Sequence, residues 1–413
     1  MADFLVRDGN PDAAADPPAR ADFADALRGF ALFGICVVNL YSLALPDPSL
    51  GDARAGLDAA ANLVAAALFA NKFFPLFSFL FGFGAAVQFD RIRRGRATGA
   101  AYARRLIGLG VLGALHAVLL YPGDILFTYA VAGALLWRVR HRPDRSLLRR
   151  AGGWVAFAAL CTTLLASALL AVWPALADPT APGRLAERAA AIRAHLGPFG
   201  DLVLYRLRQE LPVAAASAVL FYGPFALGAF CAGLVAGRRG LLHDPRRLRA
   251  TLRPYLPLLC AGALIGNATA ALLPWLPPVA GALESLLLGV GGPCLTALYV
   301  LLLAGLWEGG RGRRVLGWLE PAGRMALTNY LGQSLVANAL FMGWGLGLYG
   351  GVPPPALLVV ASLIAGGLAA VSRLWLRRFR IGPVEGLLRS WTMPHRRSPR
   401  GAVRADDARR GEP

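Results

Sequence analysis

A few polar side chains stand inside long apolar runs, and their types define the chemistry this chain can do. The stretch Glu320–Ser334 carries Arg324, Thr328, Asn329, Gln333 and Ser334 at the start of a run of membrane length. At ~100° per residue, Arg324, Thr328 and, further along, Asn338 share one side of a helix, whereas Asn329 and Gln333, an i,i+4 pair, lie on another. A helix polar on two sides cannot face lipid, because each unpaired polar group in hydrocarbon costs several kcal/mol. It belongs inside a bundle or beside a wet cavity.

Four other places carry similar groups. In the first apolar run, Asp25, Arg28 and Asn39 fall within about 60° of one another on the helix wheel. Asn39 lies about 16 Å beyond Arg28 at the helical rise. One reading is an i,i+3 ion pair with a snorkelling arginine, plus an asparagine that joins two helices. The sharper reading is a cavity running inward from an anion-binding arginine to a buried polar group, since guanidinium binds phosphate through paired donors. Lys72, the only lysine, precedes Phe-Phe-Pro-Leu-Phe-Ser-Phe; it either snorkels at the outer boundary or has a specific role. His116 sits well inside a span and Asp124 at the turn that follows it. An intramembrane histidine suits a general base or proton relay, or a neutral imidazole bonded to a neighbouring helix, while Gly-Asp before an apolar helix is also an N-cap signature. Near the C-terminus, Glu385 and Arg389 are i,i+4 with the acid first, the favourable order. They form a surface ion pair on an amphipathic helix begun by Gly-Pro, or they meet Arg28 or Arg324.

These groups need a scaffold, and the composition supplies one. The chain has 413 residues, 56% of them apolar, with many runs of about 20 apolar residues, the length of one crossing. An all-α, polytopic membrane bundle of about ten transmembrane helices is expected. The reading divides the chain into a polar N-terminal tail (1–22), a five-span bundle (23–174), a connection with amphipathic helices outside the cytoplasm (175–211), a five-span domain ending in an amphipathic helix (212–393) and a basic disordered tail (394–413). The sixth span is expected over Pro212–Ala236 and the ninth as one helix from Arg324 to about Trp344. The first 22 residues lack a signal-peptide core, so the first span must direct insertion.

Arginine placement orients the bundle. Thirty-six arginines fall in segments assigned to the inside, and six outside: Arg54, Arg184, Arg188, Arg193, Arg206 and Arg208. Both termini are therefore expected in the cytoplasm. A net charge of +19 would suggest nucleic acid in a soluble protein; here it sits in short loops between apolar runs, so membrane lipid is the expected partner and nucleic acid is not. The cysteines (Cys36, Cys161, Cys231, Cys260, Cys294) lie in apolar runs without CxxC spacing, and the histidines show no HxxH pairing, so no metal site is expected. No internal repeat is visible.

The residues quoted carry a resemblance. Asp25-Ala-Leu-Arg-Gly-Phe-Ala-Leu-Phe-Gly-Ile with Asn39, Leu76-Phe-Ser-Phe-Leu-Phe-Gly82, His116 with Gly123-Asp-Ile-Leu126 and Tyr129, Gly323-Arg-Met-Ala-Leu-Thr-Asn-Tyr330 with Gln333-Ser334, and Gly382-Pro-Val-Glu385 with Arg389 resemble the YeiB family of bacterial inner-membrane proteins. The C-terminal half of that family is the domain of unknown function 418. The family usually places an aromatic after the glutamate, where this chain has Gly386. The first span also resembles that of transmembrane acyltransferases, which carry an arginine and, eleven residues on, a catalytic histidine; Arg28 matches, but Asn39 stands at the histidine position and cannot act as a base. The resemblance implies a multi-pass protein of the bacterial cytoplasmic membrane. Its candidate activities are acyl transfer, with acyl-CoA as donor and His116 and Asp124 as catalytic groups, or carriage of a small anionic solute, with a non-catalytic partner role as the third reading. Asp25, Arg28, Asn39, Lys72, Arg324, Thr328, Asn329, Gln333, Glu385 and Arg389 are the candidate substrate-binding residues; no established cofactor is implied.

Overall fold

The computed structural model describes residues 22–46, 56–171, 182–272 and 280–392. The polar N-terminal tail, the basic C-terminal tail, most of the Pro46–Asp58 loop and the Pro274–Pro278 turn lie outside the described residues. Among the described residues the secondary structure is helical throughout. Six helices are long and apolar enough to cross a membrane: Asp22–Ala44, Gly56–Arg93, Gly99–Leu119, Phe199–Arg238, Gly291–Glu308 and Pro354–Arg378.

Helix α1 (Asp22–Ala44) is apolar almost all round, as a helix enclosed by others must be, and carries Asp22 and Asp25 in its first turn, where the helix dipole favours them. The chain then forms α2 (Gly56–Val64), a π-helical turn (Ala65–Phe69) and α3 (Phe73–Arg93). Asn71 breaks the run with φ 60°, a left-handed conformation that asparagine tolerates. Lys72 does not snorkel. It is fully buried and its Nζ donates to the Ala66 carbonyl at 2.7 Å, so the ammonium folds back onto the π turn.

The hairpin is formed by α4 (Gly99–Leu119) and α5 (Leu126–Val139). After α6 (Asp144–Ala171) and α7 (Pro182–Leu196) comes α8, Phe199–Arg238, a 40-residue helix with two π turns. The expected sixth span begins earlier than Pro212: Arg206, which the sequence places in the connection with amphipathic helices, lies within α8 and is enclosed by the bundle, with its two terminal nitrogens bonded. Then follow α9 (Pro245–Leu252), α10 (Leu256–Leu272), α11 (Ala280–Glu308) and α12 (Gly310–Leu316).

The C-terminal part positions the site. The expected single helix from Arg324 is two: α13 (Glu320–Arg324) and α14 (Ala326–Phe341), separated by Met325 at φ −108°, ψ 38°. They are followed by α15 (Pro354–Arg378) and α16 (Pro383–Thr392). Helix α13 packs on α1 so closely that a β-carbon on Gly323 would run into the Asp25 carbonyl, and one on Gly29 into that of Leu319. Small residues permit this backbone contact, which sets Asp25, Arg28 and Arg324 side by side. Helix α1 also packs on α14 and α15, so the first span and the last ones share one core.

Candidate functional site

The contact of α1 with α13 opens on a cavity of about 490 Å³. Its walls come from α1, α3, α4, α5, α13, α14 and α16, and four arginines line it: Arg28, Arg91, Arg105 and Arg324. The two carboxylates there are both engaged. Asp25 pairs with Arg28. Glu385 accepts from the backbone N–H groups of Leu327 (2.7 Å) and Thr328 (3.1 Å) and from the Thr328 hydroxyl (2.5 Å). It thus caps α14 from a different helix, where Met325 offers no capping side chain and the first N–H groups would be orphaned. Gly382 makes this approach possible, since a β-carbon there would meet the Glu385 carboxylate and the Thr328 hydroxyl. The expected Glu385–Arg389 ion pair does not form: the carboxylate is turned inward to the cap.

The arginines are therefore in excess. The Nε of Arg324 is buried and has no hydrogen-bond partner among the described residues. Arg105 lies 5.8 Å from the Phe81 ring and has no carboxylate partner among the described residues. A neighbouring recess of about 440 Å³ shares Arg91, Arg105 and Glu385 with the cavity and adds Arg389. On another side Arg91 and His243 also line a basin of about 1060 Å³ that contains Arg96, Arg140 and Arg142. Planar guanidinium groups around one cavity suit phosphate or carboxylate oxygens in geometry and charge.

The deep wall of the cavity is aromatic. Tyr129 hydrogen-bonds Ser78 through its hydroxyl at 2.7 Å, and Tyr330 lines the cavity beside it. Behind Tyr330 lies the histidine pair. His116 Nδ1 is 2.8 Å from Asp124 Oδ1, the His116 and Tyr330 ring centroids are 5.0 Å apart, and the Tyr330 hydroxyl lies 3.5 Å from the same Asp124 oxygen while accepting from Ile125 N–H at 3.3 Å. The other Asp124 oxygen accepts from Phe127 N–H at 2.8 Å, so Asp124 orients the imidazole and caps α5 at once. His116 Nε2 is buried without a hydrogen-bond partner among the described residues. The polar and ring contacts of this side chain are to Asp124, Tyr121 and Tyr330, none to α1.

The remaining sequence candidates lie elsewhere. Asn39 is half-buried on α1 and outside the cavity lining. Lys72 is held at the π turn. Asn329 bonds the Ala322 carbonyl (3.0 Å) and Ser372 of α15 (2.8 Å), and Gln333 donates to the Leu32 carbonyl at 3.1 Å. Thr328 serves the cap. These side chains join helices around the cavity.

Other residues come to the site without having been picked out by sequence. Arg91, Arg105, Tyr129 and Tyr330 line the cavity; by sequence the arginines belong to a basic loop, and the tyrosines enter only as members of the family motifs. At the far end a second polar cluster forms. Arg206 donates to the Leu119 carbonyl (2.7 Å) and to Asn338 Oδ1 (2.9 Å), and Asn338 Nδ2 donates to the Leu120 carbonyl (2.8 Å). The two side chains satisfy carbonyls that the end of α4 leaves open. His195 Nε2 lies 3.3 Å from Glu210, and its ring stacks on Tyr349 at 4.2 Å. Burial, and then the Glu210 carboxylate, push the Tyr349 phenol above its usual range. The signal available was Arg206 and Glu210 at i,i+4 beside an apolar run.

Comparison with known proteins gives this arrangement relatives. Residues 236–395 match the family model described as protein of unknown function (DUF418). Over 392 residues the chain is 32% identical to YxaH of Bacillus subtilis (strain 168), covering 90% of this chain and 94% of that protein. It is 29% identical over 380 residues to YeiB of Escherichia coli (strain K12), covering 89% and 95%. No solved structure matches it. With similarity extending over nearly the whole of both chains, this protein belongs to the YeiB and YxaH family, and DUF418 matches its C-terminal part.

Proposed function

We propose that this chain is a multi-pass protein of the bacterial cytoplasmic membrane, with about ten crossings and both termini inside. In this reading it transfers an acyl group from a cytosolic anionic donor of the acyl-CoA type to an acceptor in or beyond the membrane. The six long apolar helices support membrane insertion, and the arginine asymmetry supports the orientation. The observation that carries the donor site is the arginine excess of the cavity, with the buried Arg324 Nε lacking a partner among the described residues.

In the proposed reaction the phosphates of the donor bind at Arg28, Arg91, Arg105 and Arg324, and its acyl arm extends past Tyr129 and Tyr330. Arg105 and His116 are eleven residues apart on α4, about 16 Å, a distance for a long flexible arm. His116 Nε2 takes the proton of the acceptor X–H while Asp124 holds Nδ1. The acceptor atom attacks the thioester carbonyl carbon, the C–S bond breaks, and the leaving thiolate takes the proton back from Nε2. The proton count closes without a further reactant.

The test is binding and turnover with purified full-length protein. Acyl-CoA should bind, with affinity reduced at least tenfold in Arg28→Ala and Arg324→Ala, and His116→Gln should stop transfer while leaving donor binding intact. Absence of acyl-CoA binding by the wild type sinks the reading. A second reading, carriage of a small anion, draws on the aromatic and imidazole wall that closes the cavity at its deep end and could pass a proton. Movement of such a solute into proteoliposomes without chemical change would favour it.

A further inference from the structure

His116 faces two ways. One side is the Asp124 and Tyr330 wall; the other is an apolar groove of about 480 Å³ between α4 and α14, within the usual range of about 300–1,000 Å³ for small-molecule sites. Leu112, Leu115, Leu331 and Leu335 form its sides, and Phe199 with Trp344 closes one end, their ring centroids 6.1 Å apart. Leu115 and Leu335 are each 53% exposed, so the groove is open along the flank of α4, one of the membrane-length helices. A tryptophan at that end suits the boundary between hydrocarbon and headgroups. His116 is the one polar residue in the lining among the described residues, and it is only 2% exposed.

The hydrogen-bond pattern defines what His116 lacks. One Asp124 oxygen accepts the Phe127 N–H and the other lies 2.8 Å from His116 Nδ1; a carboxylate only accepts, so the imidazole proton belongs on Nδ1 and Nε2 presents a lone pair. That buried acceptor has no partner among the described residues, and leaving it unpaired is costly. The complement is a neutral hydrogen-bond donor on an apolar chain. An ammonium would bring a charge under hydrocarbon, which is expensive; a hydroxyl brings none.

We propose that this groove binds the hydrocarbon chain of a membrane amphiphile ending in a hydroxyl, a long-chain alcohol or acylglycerol, whose O–H donates to His116 Nε2. The amphiphile enters sideways from the bilayer, with its chain along Leu115 and Leu335 and its hydroxyl below Trp344. This rests on the acyl-transfer reading for its purpose and makes the lipid hydroxyl the acceptor; the binding itself stands on the groove and the imidazole.

The experiment uses full-length protein in nanodiscs and a sixteen-carbon alcohol carrying a diazirine, photolysed and mapped by peptide mass spectrometry. Labelling should fall on 112–120 and 331–335. The O-methyl ether of the same probe, which has lost the donor, and the matching primary amine should each label about tenfold less, the worth of one hydrogen bond to a buried acceptor. Leu335→Trp, at the open edge, should abolish labelling. His116→Phe should bring the alcohol down to the level of the ether; if that variant fails to fold, the alcohol, ether and amine series on the wild type decides alone. Equal labelling by alcohol and ether, stronger labelling by the amine, or labelling untouched by Leu335→Trp overturns the proposal. Loss of acyl-CoA binding with alcohol labelling intact would remove the transfer reading and leave the lipid site; the reverse result would remove the lipid site alone.

Discussion

Two arginines, Arg206 and Arg324, differ in what the protein does with them. Arg206 is enclosed; its terminal nitrogens donate to the Leu119 carbonyl, Asn338 and, at 3.8 Å, the Met342 sulfur, and its Nε, which makes no hydrogen bond among the described residues, lies 3.9 Å from the Glu210 carboxylate. Arg324 shares a cavity with three other arginines, while the nearby carboxylates are occupied by Arg28 and by the end of α14. Both lie among apolar helices where an unsatisfied guanidinium is expensive. The first is part of the architecture. The second, in the proposed reading, holds an anion from outside the chain.

This contrast can be broken by measurement. The largest effect is expected from Arg206→Ala, which strands Asn338 Oδ1 and the Leu119 carbonyl: roughly 3 kcal/mol of stability should go, seen as a lower Tm in detergent with acyl-CoA affinity in the surviving folded fraction unchanged. Arg324→Ala should do the opposite, leaving Tm nearly still and weakening acyl-CoA binding by about 10- to 100-fold, the range of a charge-assisted hydrogen bond. A large loss of Tm there, or none for Arg206→Ala, would show that the two arginines have been assigned the wrong way round. Glu385→Ala uncaps α14 and should cost about 1–2 kcal/mol, with Glu385→Gln milder because its amide oxygen still accepts. Smallest of all, Lys72→Met exchanges a buried ammonium held by one carbonyl for an apolar chain of similar length, and its stability should stay within about 0.5 kcal/mol of wild type or rise, read as an unchanged or higher Tm. A pronounced fall would place Lys72 with Arg206.

The membrane-length helices and the meeting of Asp25, Arg28 and Arg324 were legible because apolar runs with charged ends announce themselves. The His116 and Asp124 pair was legible too, since a hairpin returns residue 124 to the end of the helix that carries residue 116. The break at Met325 was not: no proline or glycine occupies that position, and the interruption depends on Gly323 pressing against α1 and on Glu385 arriving from sixty residues away. For the same reason Glu385 read locally as a partner of Arg389, when the N–H groups of α14 compete for it. Arg91 and Arg105 could not be told from their basic neighbours, because only tertiary packing decides which loop charge turns inward. Arg206 read as part of an amphipathic connection because its buried partners, on α4 and α14, are not visible in the sequence.

Tyr330 has one ring in two environments, the wall of the arginine cavity and the contact face of His116. If an anion on one side shifts that ring, the imidazole on the other is displaced by the same motion, and the free energy of that motion is shared. Linkage then requires reciprocity: whatever factor the anion applies to the affinity of a lipid alcohol, the alcohol must apply to the anion. A single tyrosine would thus make an occupant drawn from the cytosol and one drawn from the bilayer report on each other.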